Sequence, residues 1–163
     1  MPTPQAKRSK LNLMAVTTAS IKKLREETEA PVMEVKRALE EAKGNVVKAK
    51  DILREKAVMR AEKKKEREAG AGMIFSYIHQ GGAVGVLLDL HCETDFVAKT
   101  TNFQNLGKEL MLQIASMDPK DVEELLEQDY IRDPGRKIKD YVSEVSGTLG
   151  EHVKVERFMR YEI

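Results

Sequence analysis

The chain has 163 residues, one domain-length with room for a small appendage, and its 28 basic and 27 acidic side chains leave a net charge of +1. That balance lacks the surplus of Lys and Arg on which non-specific nucleic-acid binding depends, and 4 Phe, 4 Tyr and no Trp leave few platforms for stacking bases, so direct nucleic-acid binding is not expected. A single cysteine, Cys92, excludes an intrachain disulfide and a zinc site built on a Cys pair and suits a reducing, cytoplasmic setting, while no run approaches the ~20 apolar residues of a membrane span.

Residues 1–17 read as an N-terminal tail without a core of its own. Lys7, Arg8, Lys10, Lys22, Lys23 and Arg25 precede the first acid, Glu26, a faint transit-peptide flavour. The simpler reading is a frayed, disordered extension ahead of a second start at Met14, with an organellar protein the weaker alternative.

Residues 18–57 predict three short helices. Ser20 is a candidate N-cap, with Ile21 and Leu24 following at helical spacing before Thr28 and Pro31 stop the run. Pro31 suits the first turn of a second helix, where its missing N–H has no intrahelical partner. Val32, Val35, Leu39 and Ala42 then form one apolar stripe, which Gly44 ends. Asn45 caps a third helix with Val46, Ala49, Leu53 and Ala57 inward. Such a miniature bundle, about 40 residues, is near the lower limit for independent folding.

Residues 58–72 form a connector. Within them Arg60-Ala61-Glu62-Lys63-Lys64-Lys65-Glu66-Arg67-Glu68 carries five basic and three acidic groups, and reads as a solvated continuation of the third helix that stops at Gly70 and Gly72. The interspersed acids weigh against a basic binding arm.

Residues 73–163 change period. Met73 to His79 and Val84 to Glu93 flank Gln80-Gly81-Gly82-Ala83, predicting a β-hairpin with Val84, Val86, Leu88, Leu90 and Cys92 on one face of its second strand. Asn102 opens a helix with Phe103, Leu106, Leu110, Ile114 and Met117 on one side, ending at Asp118-Pro119. A short acidic helix near Asp121 to Gln128, a turn at Asp133-Pro134-Gly135 and a helix with Ile138, Val142 and Val145 follow. Val153, Val155, Arg157, Met159 and Tyr161 alternate with polar neighbours in a closing strand. The expected class is α+β: a three-helix N-terminal domain plus a core module of a three-stranded antiparallel sheet packed with helices.

Conventional catalytic signals are weak. His91, Glu93 and Asp95 fall at i, i+2 and i+4, so a strand would aim all three one way and could offer a metal site; the plainer reading is a solvated polar face. His79 and His152 have no Ser or Cys in a nucleophile context, and Gly81-Gly82 lacks the Lys-Ser/Thr of a phosphate loop. No resident cofactor or metal and no enzymatic activity are expected. Thr94-Asp95-Phe96-Val97-Ala98-Lys99 has no evident period. From periodicity alone Phe96 is either a core plug of the turn or an exposed anchor, the kind of loop aromatic that concentrates binding energy at an interface.

Cys92-Glu93-Thr94-Asp95-Phe96-Val97-Ala98-Lys99, continued by Phe103-Gln104, resembles the central signature of the translation elongation factor Ts family. Ile21-Lys22-Lys23-Leu24-Arg25-Glu26-Glu27-Thr28 and Met33-Glu34-Val35-Lys36-Arg37-Ala38-Leu39 resemble its N-terminal domain, and Gly150-Glu151-His152-Val153 with Arg157-Phe158-Met159-Arg160-Tyr161-Glu162 its closing strand. Three motifs kept in order are far more specific than any one.

The resemblance implies a ubiquitin-associated-like (UBA-like) domain, a connector and one α+β module, acting as the guanine-nucleotide exchange factor of elongation factor Tu in the bacterial cytoplasm. It implies contacts to the GTPase domain of Tu from Arg25, Val32, Met33 and Lys36, and dislocation of the Tu magnesium by Thr94, Asp95, Phe96 and Val97, with Asp95 a polar contact and not a base. Gln113 stands where the family often has a histidine that contacts Tu from the core helix, and a further Tu domain is an expected partner. The family's Gly-Ala-Gly-Met-Met-Asp turn is replaced by Glu29-Ala30-Pro31-Val32-Met33-Glu34, an altered docking turn. Short members of this kind are expected to form homodimers that supply both halves of the core surface. Outside the resemblance, a UBA-like adaptor that binds a partner helix without exchange activity is the alternative.

Overall fold

The computed structural model describes residues 16–163. The basic tail and Met14 lie outside the described residues. The described chain divides between Leu53 and Arg54 into two units.

The first unit holds α1 (Thr18–Thr28), α2 (Val32–Glu41) and the opening turns of α3 (Val46–Glu62). Thr17, not Ser20, caps α1. Its hydroxyl accepts the Ser20 N–H at 3.1 Å while Ser20 Oγ accepts the Thr17 N–H at 3.0 Å, so both groups serve one capping box. Pro31 stands at the cap of α2, one position before its first turn. Asn45 Oδ1 accepts the Lys48 N–H at 3.1 Å and starts α3 as expected. Leu24, Val35, Ala38, Leu39, Ala42, Ala49 and Leu53 are buried together. Two members of the predicted stripes depart from them: Val32, first in its helix, is 48% exposed, and Val46 is 37% exposed.

The second unit begins with the later turns of α3, where Ala57 and Ala61 are buried. The helix runs to Glu62, so the charged connector is partly helical. β1 (Ala71–Ile78) and β2 (Val84–Cys92) pair antiparallel through a turn in which Gly81 and Gly82 both take φ +79°. β5 (Lys154–Glu162) pairs antiparallel on the other side of β2, giving the order β1-β2-β5. On β2 every second side chain from Val84 to Cys92 is buried. Against that face lies α5 (Thr101–Met117), whose Phe103, Leu106, Leu110 and Ile114 are fully enclosed. α6 (Val122–Glu127) and α7 (Ile138–Leu149) complete the cover. The α+β class and the three-stranded antiparallel sheet match the expectation.

Two strand expectations need correction. The pairing of β2 with β5 jumps from Asp89↔Arg157 to Leu90↔Val155, leaving Glu156 as an extra residue. One extra residue inverts the alternation, so only Val153 and Val155 keep the inward face; beyond them Phe158 and Arg160 turn toward α5, and Arg157, Met159 and Tyr161 turn out. Asp133-Pro134-Gly135 is not a simple turn either. Asp133–Lys137 forms β4, paired with β3 (Asp129–Tyr130) in a two-stranded ribbon, where a proline costs no central ladder bond. Among the described residues no helix is long and apolar enough to cross a membrane.

Candidate functional site

The alternation of β2 stops at Cys92, and the chain then turns sharply. Thr94 ends the extended run: its hydroxyl accepts the Val97 N–H at 3.3 Å and caps α4 (Asp95–Ala98), a single helical turn. Thr100 closes the turn and opens α5, donating its hydroxyl to the Val97 carbonyl at 2.7 Å and accepting the Phe103 N–H at 3.4 Å. Two threonines, Thr94 and Thr100, thus hold a seven-residue bend at both ends.

Within that bend side chains sort sharply. Val97 and Ala98 are buried, whereas Phe96 is 81% exposed. Burying such a ring is worth about 1.5–3 kcal/mol, so its exposure is a cost the fold carries. Of the two readings of Phe96, the structure takes the exposed one. Asp95 and Thr94 are exposed beside it.

Beneath the bend, the Cys92 thiol donates to the Thr94 carbonyl at 3.2 Å. Burial, and then the nearby Glu151 charge, push that thiol up, so it stays protonated and acts as a small buried group. The Glu151 carboxylate accepts the N–H groups of Glu93 and Thr94, both at 3.1 Å, and the Thr94 hydroxyl at 2.8 Å. In return Glu93 Oε1 accepts the His152 N–H at 2.6 Å. Sequence reading did not single out Glu151, which lies 57 residues from Thr94 with no local signal of its partner.

The remaining sequence-predicted residues fall elsewhere. Arg25, Val32, Met33 and Lys36 are exposed on α1 and α2 of the first unit, with Met33 54% exposed. Lys36 lies 3.9 Å from Glu40 one turn on. Gln113 is fully buried in the second unit, and its carboxamide is engaged internally. Its Nε2 donates to Gln128 Oε1 and to the Asp129 carbonyl, both at 3.1 Å, and its Oε1 accepts the Ile131 N–H at 3.0 Å. It therefore holds the β3 segment and offers no surface of its own. The spacing pointed that way, since Gln113 follows Leu110 by three on the inward stripe.

The metal alternative does not assemble. β2 ends before Glu93, so the alternation never reaches Asp95. His91 Nε2 lies 2.9 Å from Asp89 Oδ1 and its Nδ1 3.1 Å from the Ala69 carbonyl, while Glu93 serves His152. Among the described residues no group of three His, Cys, Asp or Glu is placed to hold a metal ion.

Residues 93–163 match the family model described as Elongation factor TS, so the match begins at the bend itself. The chain is also similar to whole proteins. It is 38% identical to Elongation factor Ts of Thermoanaerobacter sp. strain X514, over 90% of this chain and 94% of that protein. It is 38% identical to that of Coprothermobacter proteolyticus, over 92% of this chain and 99% of the relative. With that of Thermotoga neapolitana the identity is 38%, over 92% and 98%.

Proposed function

The chain belongs to the elongation factor Ts family, and on that footing we propose that it is a guanine-nucleotide exchange factor, binding elongation factor Tu in the bacterial cytoplasm and expelling its GDP during translation elongation. The observation that carries the reading is Phe96, 81% exposed on a bend that the buried Val97 and Ala98 root in the core. An aromatic held that firmly is a wedge.

Magnesium joins the nucleotide phosphates to a GTPase, so a wedge that displaces its ligands removes a large electrostatic share of nucleotide affinity. Phe96 performs the insertion, with Val97 as its buried root, Thr94 as the cap that fixes the turn, and Asp95 as a polar contact at its base. The chain donates and accepts no proton in this scheme. Coupling is reciprocal: whatever factor the wedge takes from GDP affinity, GDP takes from wedge affinity, so the ternary complex resolves in either direction.

Anchoring is a separate task. The three helices of residues 18–57, read as a UBA-like domain, would hold the GTPase domain through Arg25, Val32, Met33 and Lys36; residues 58–72 connect it to the core module, residues 73–163. Gln113 would act on the further Tu domain indirectly, by fixing the backbone of Ile131, which is 38% exposed. The outer face of the sheet, with Ile74, Leu87 and Met159 exposed beside the Asp89–Arg157 pair, supports a homodimer, because a patch carrying both charges can meet its own copy about a two-fold axis.

The test is release of labelled GDP from Tu with and without the purified chain. Acceleration supports the reading, and an unchanged rate at saturating factor removes it.

A further inference from the structure

We propose that Glu151 is a positioning residue for nucleotide exchange: its carboxylate holds the pose of the turn that presents Phe96. This rests on the exchange reading above and extends it to a residue of the closing segment.

The main-chain ladder between β2 and β5 ends at His91↔Lys154. Past that point side chains take over. Glu151 accepts from the N–H groups of Glu93 and Thr94, and Glu93 accepts from the N–H of His152, so each segment's carboxylate grips the other's backbone. Hydrogen bonds to a charged acceptor are about twice as strong as neutral ones, which suits a place where ladder bonds have run out.

The third bond of Glu151 reaches the wedge. The Thr94 hydroxyl donates to Glu151 Oε1 at 2.8 Å, which fixes its rotamer and leaves a lone pair for the Val97 N–H. That N–H starts α4. With the hydroxyl free to rotate, the cap is intermittent and the direction of the Phe96 ring spreads. Glu151 is itself held: the hydroxyl of Ser146, a residue 3% exposed, donates to the Glu151 carbonyl at 2.6 Å and accepts the Val153 N–H at 3.2 Å. Gly150, with φ +75°, turns the chain from α7 into that grip. The end of α7 thereby bears on the aim of Phe96 through Glu151.

The experiment uses the full chain and Tu loaded with labelled GDP, with the concentration of factor varied to separate the maximal release rate from the half-saturating concentration. Glu151→Ala is expected to lower the maximal rate roughly tenfold and to change half-saturation little, since a misaimed wedge loses the transition and not the docking. Glu151→Gln keeps an oxygen for the two N–H groups and reverses the third bond, its amide N–H donating to the Thr94 hydroxyl oxygen, which still has a lone pair for the Val97 N–H, so it is expected to recover part of the rate. Amide hydrogen exchange at Glu93, Thr94 and Val97 is expected to quicken in the alanine variant. Should that variant fail to fold, Glu151→Asp, one methylene short, carries the same expectation. A wild-type maximal rate in the alanine or aspartate variant, no recovery in Glu151→Gln, or a loss confined to half-saturation overturns the proposal. Phe96→Ala in the same assay keeps the two readings apart: if it too releases GDP at the wild-type rate, the wedge itself is wrong, whereas a slow Phe96→Ala beside a normal Glu151→Ala removes Glu151 alone.

Discussion

Phe96 and Val97 are chain neighbours that the turn α4 sends opposite ways, the ring 81% exposed and the isopropyl group 6%. The pair separates function from folding. Phe96→Ala removes no packed contact of the core, so stability should stay within about 0.5 kcal/mol of wild type. Its loss from an interface should cost about 2 kcal/mol or more, a roughly 30-fold fall in stimulated GDP release. Val97→Ala should do the reverse at the level of the fold, lowering stability by about 1–3 kcal/mol. Thermal melts beside stopped-flow release rates check both; a Phe96→Ala protein that melts early would place the ring in the core after all.

Gly107 lies under the ring of Phe75. A methyl group there would sit 2.4 Å from Phe75 Cζ, and that ring is already tilted against Phe103 at a centroid distance of 6.1 Å. In an exposed helix Gly→Ala would gain about 1 kcal/mol of helix propensity. Here overlap in a packed core costs about 1–3 kcal/mol, so Gly107→Ala should be net destabilising. Adding Phe75→Leu should restore part of the melting temperature, which steric conflict requires and a backbone effect does not.

What the sequence discloses is what repeats locally. Val84 to Cys92 alternate over nine residues, and Phe103 to Ile114 recur at helical spacing, so β2 and α5 and their inward faces are readable in advance. α4 is too short to show any period, and its existence rests on Thr94 meeting the Val97 N–H. The bulge at Glu156 leaves no mark on composition, yet it reverses which of Arg157 and Phe158 faces the core. Asp133-Pro134-Gly135 carries a strong turn signal that ribbon pairing overrode. Glu151 is hidden for a different reason: its partners Glu93 and Thr94 lie 58 and 57 residues away in the chain, and only the folded molecule brings them to it.

Tyr130 and Tyr141 predict an alkaline limit to stability. Their rings stack at 4.8 Å, Arg136 lies over Tyr141 at 4.9 Å, and the Tyr130 hydroxyl donates to Glu109 Oε2 at 2.8 Å. Burial, then the bond to Glu109, push the Tyr130 phenol far above its ordinary range, and burial, then the Glu109 charge, push Tyr141 up. A phenol whose folded value is raised keeps its proton while the unfolded chain loses one. The stabilisation is therefore complete below about pH 10, the ordinary tyrosine value, and declines as pH rises past it. Denaturant midpoints should hold steady from neutral pH to that point and then fall, with a shallower fall in Tyr130→Phe. An identical alkaline slope in that variant would assign the effect to other groups.

The outer face of the sheet predicts an assembly state. Leu87 and Met159 lie directly opposite each other on β2 and β5, 49% and 51% exposed, with Ile74 on the neighbouring strand 61% exposed. Asp89 and Arg157, 3.2 Å apart, border the same hollow of about 230 Å³. A second copy turned through a two-fold axis would set each chain's Leu87 and Met159 against the other's and bring Arg157 near the opposing Asp89. Single surface substitutions on such a face change monomer stability by about 0.5 kcal/mol or less, so Leu87→Lys or Met159→Lys should leave the melting curve of the monomer intact. A charge directly opposite its own copy, by contrast, should shift sedimentation equilibrium from dimer to monomer. A monomeric wild-type chain at micromolar concentration removes the dimer, and a Lys variant that remains dimeric moves the contact to another face.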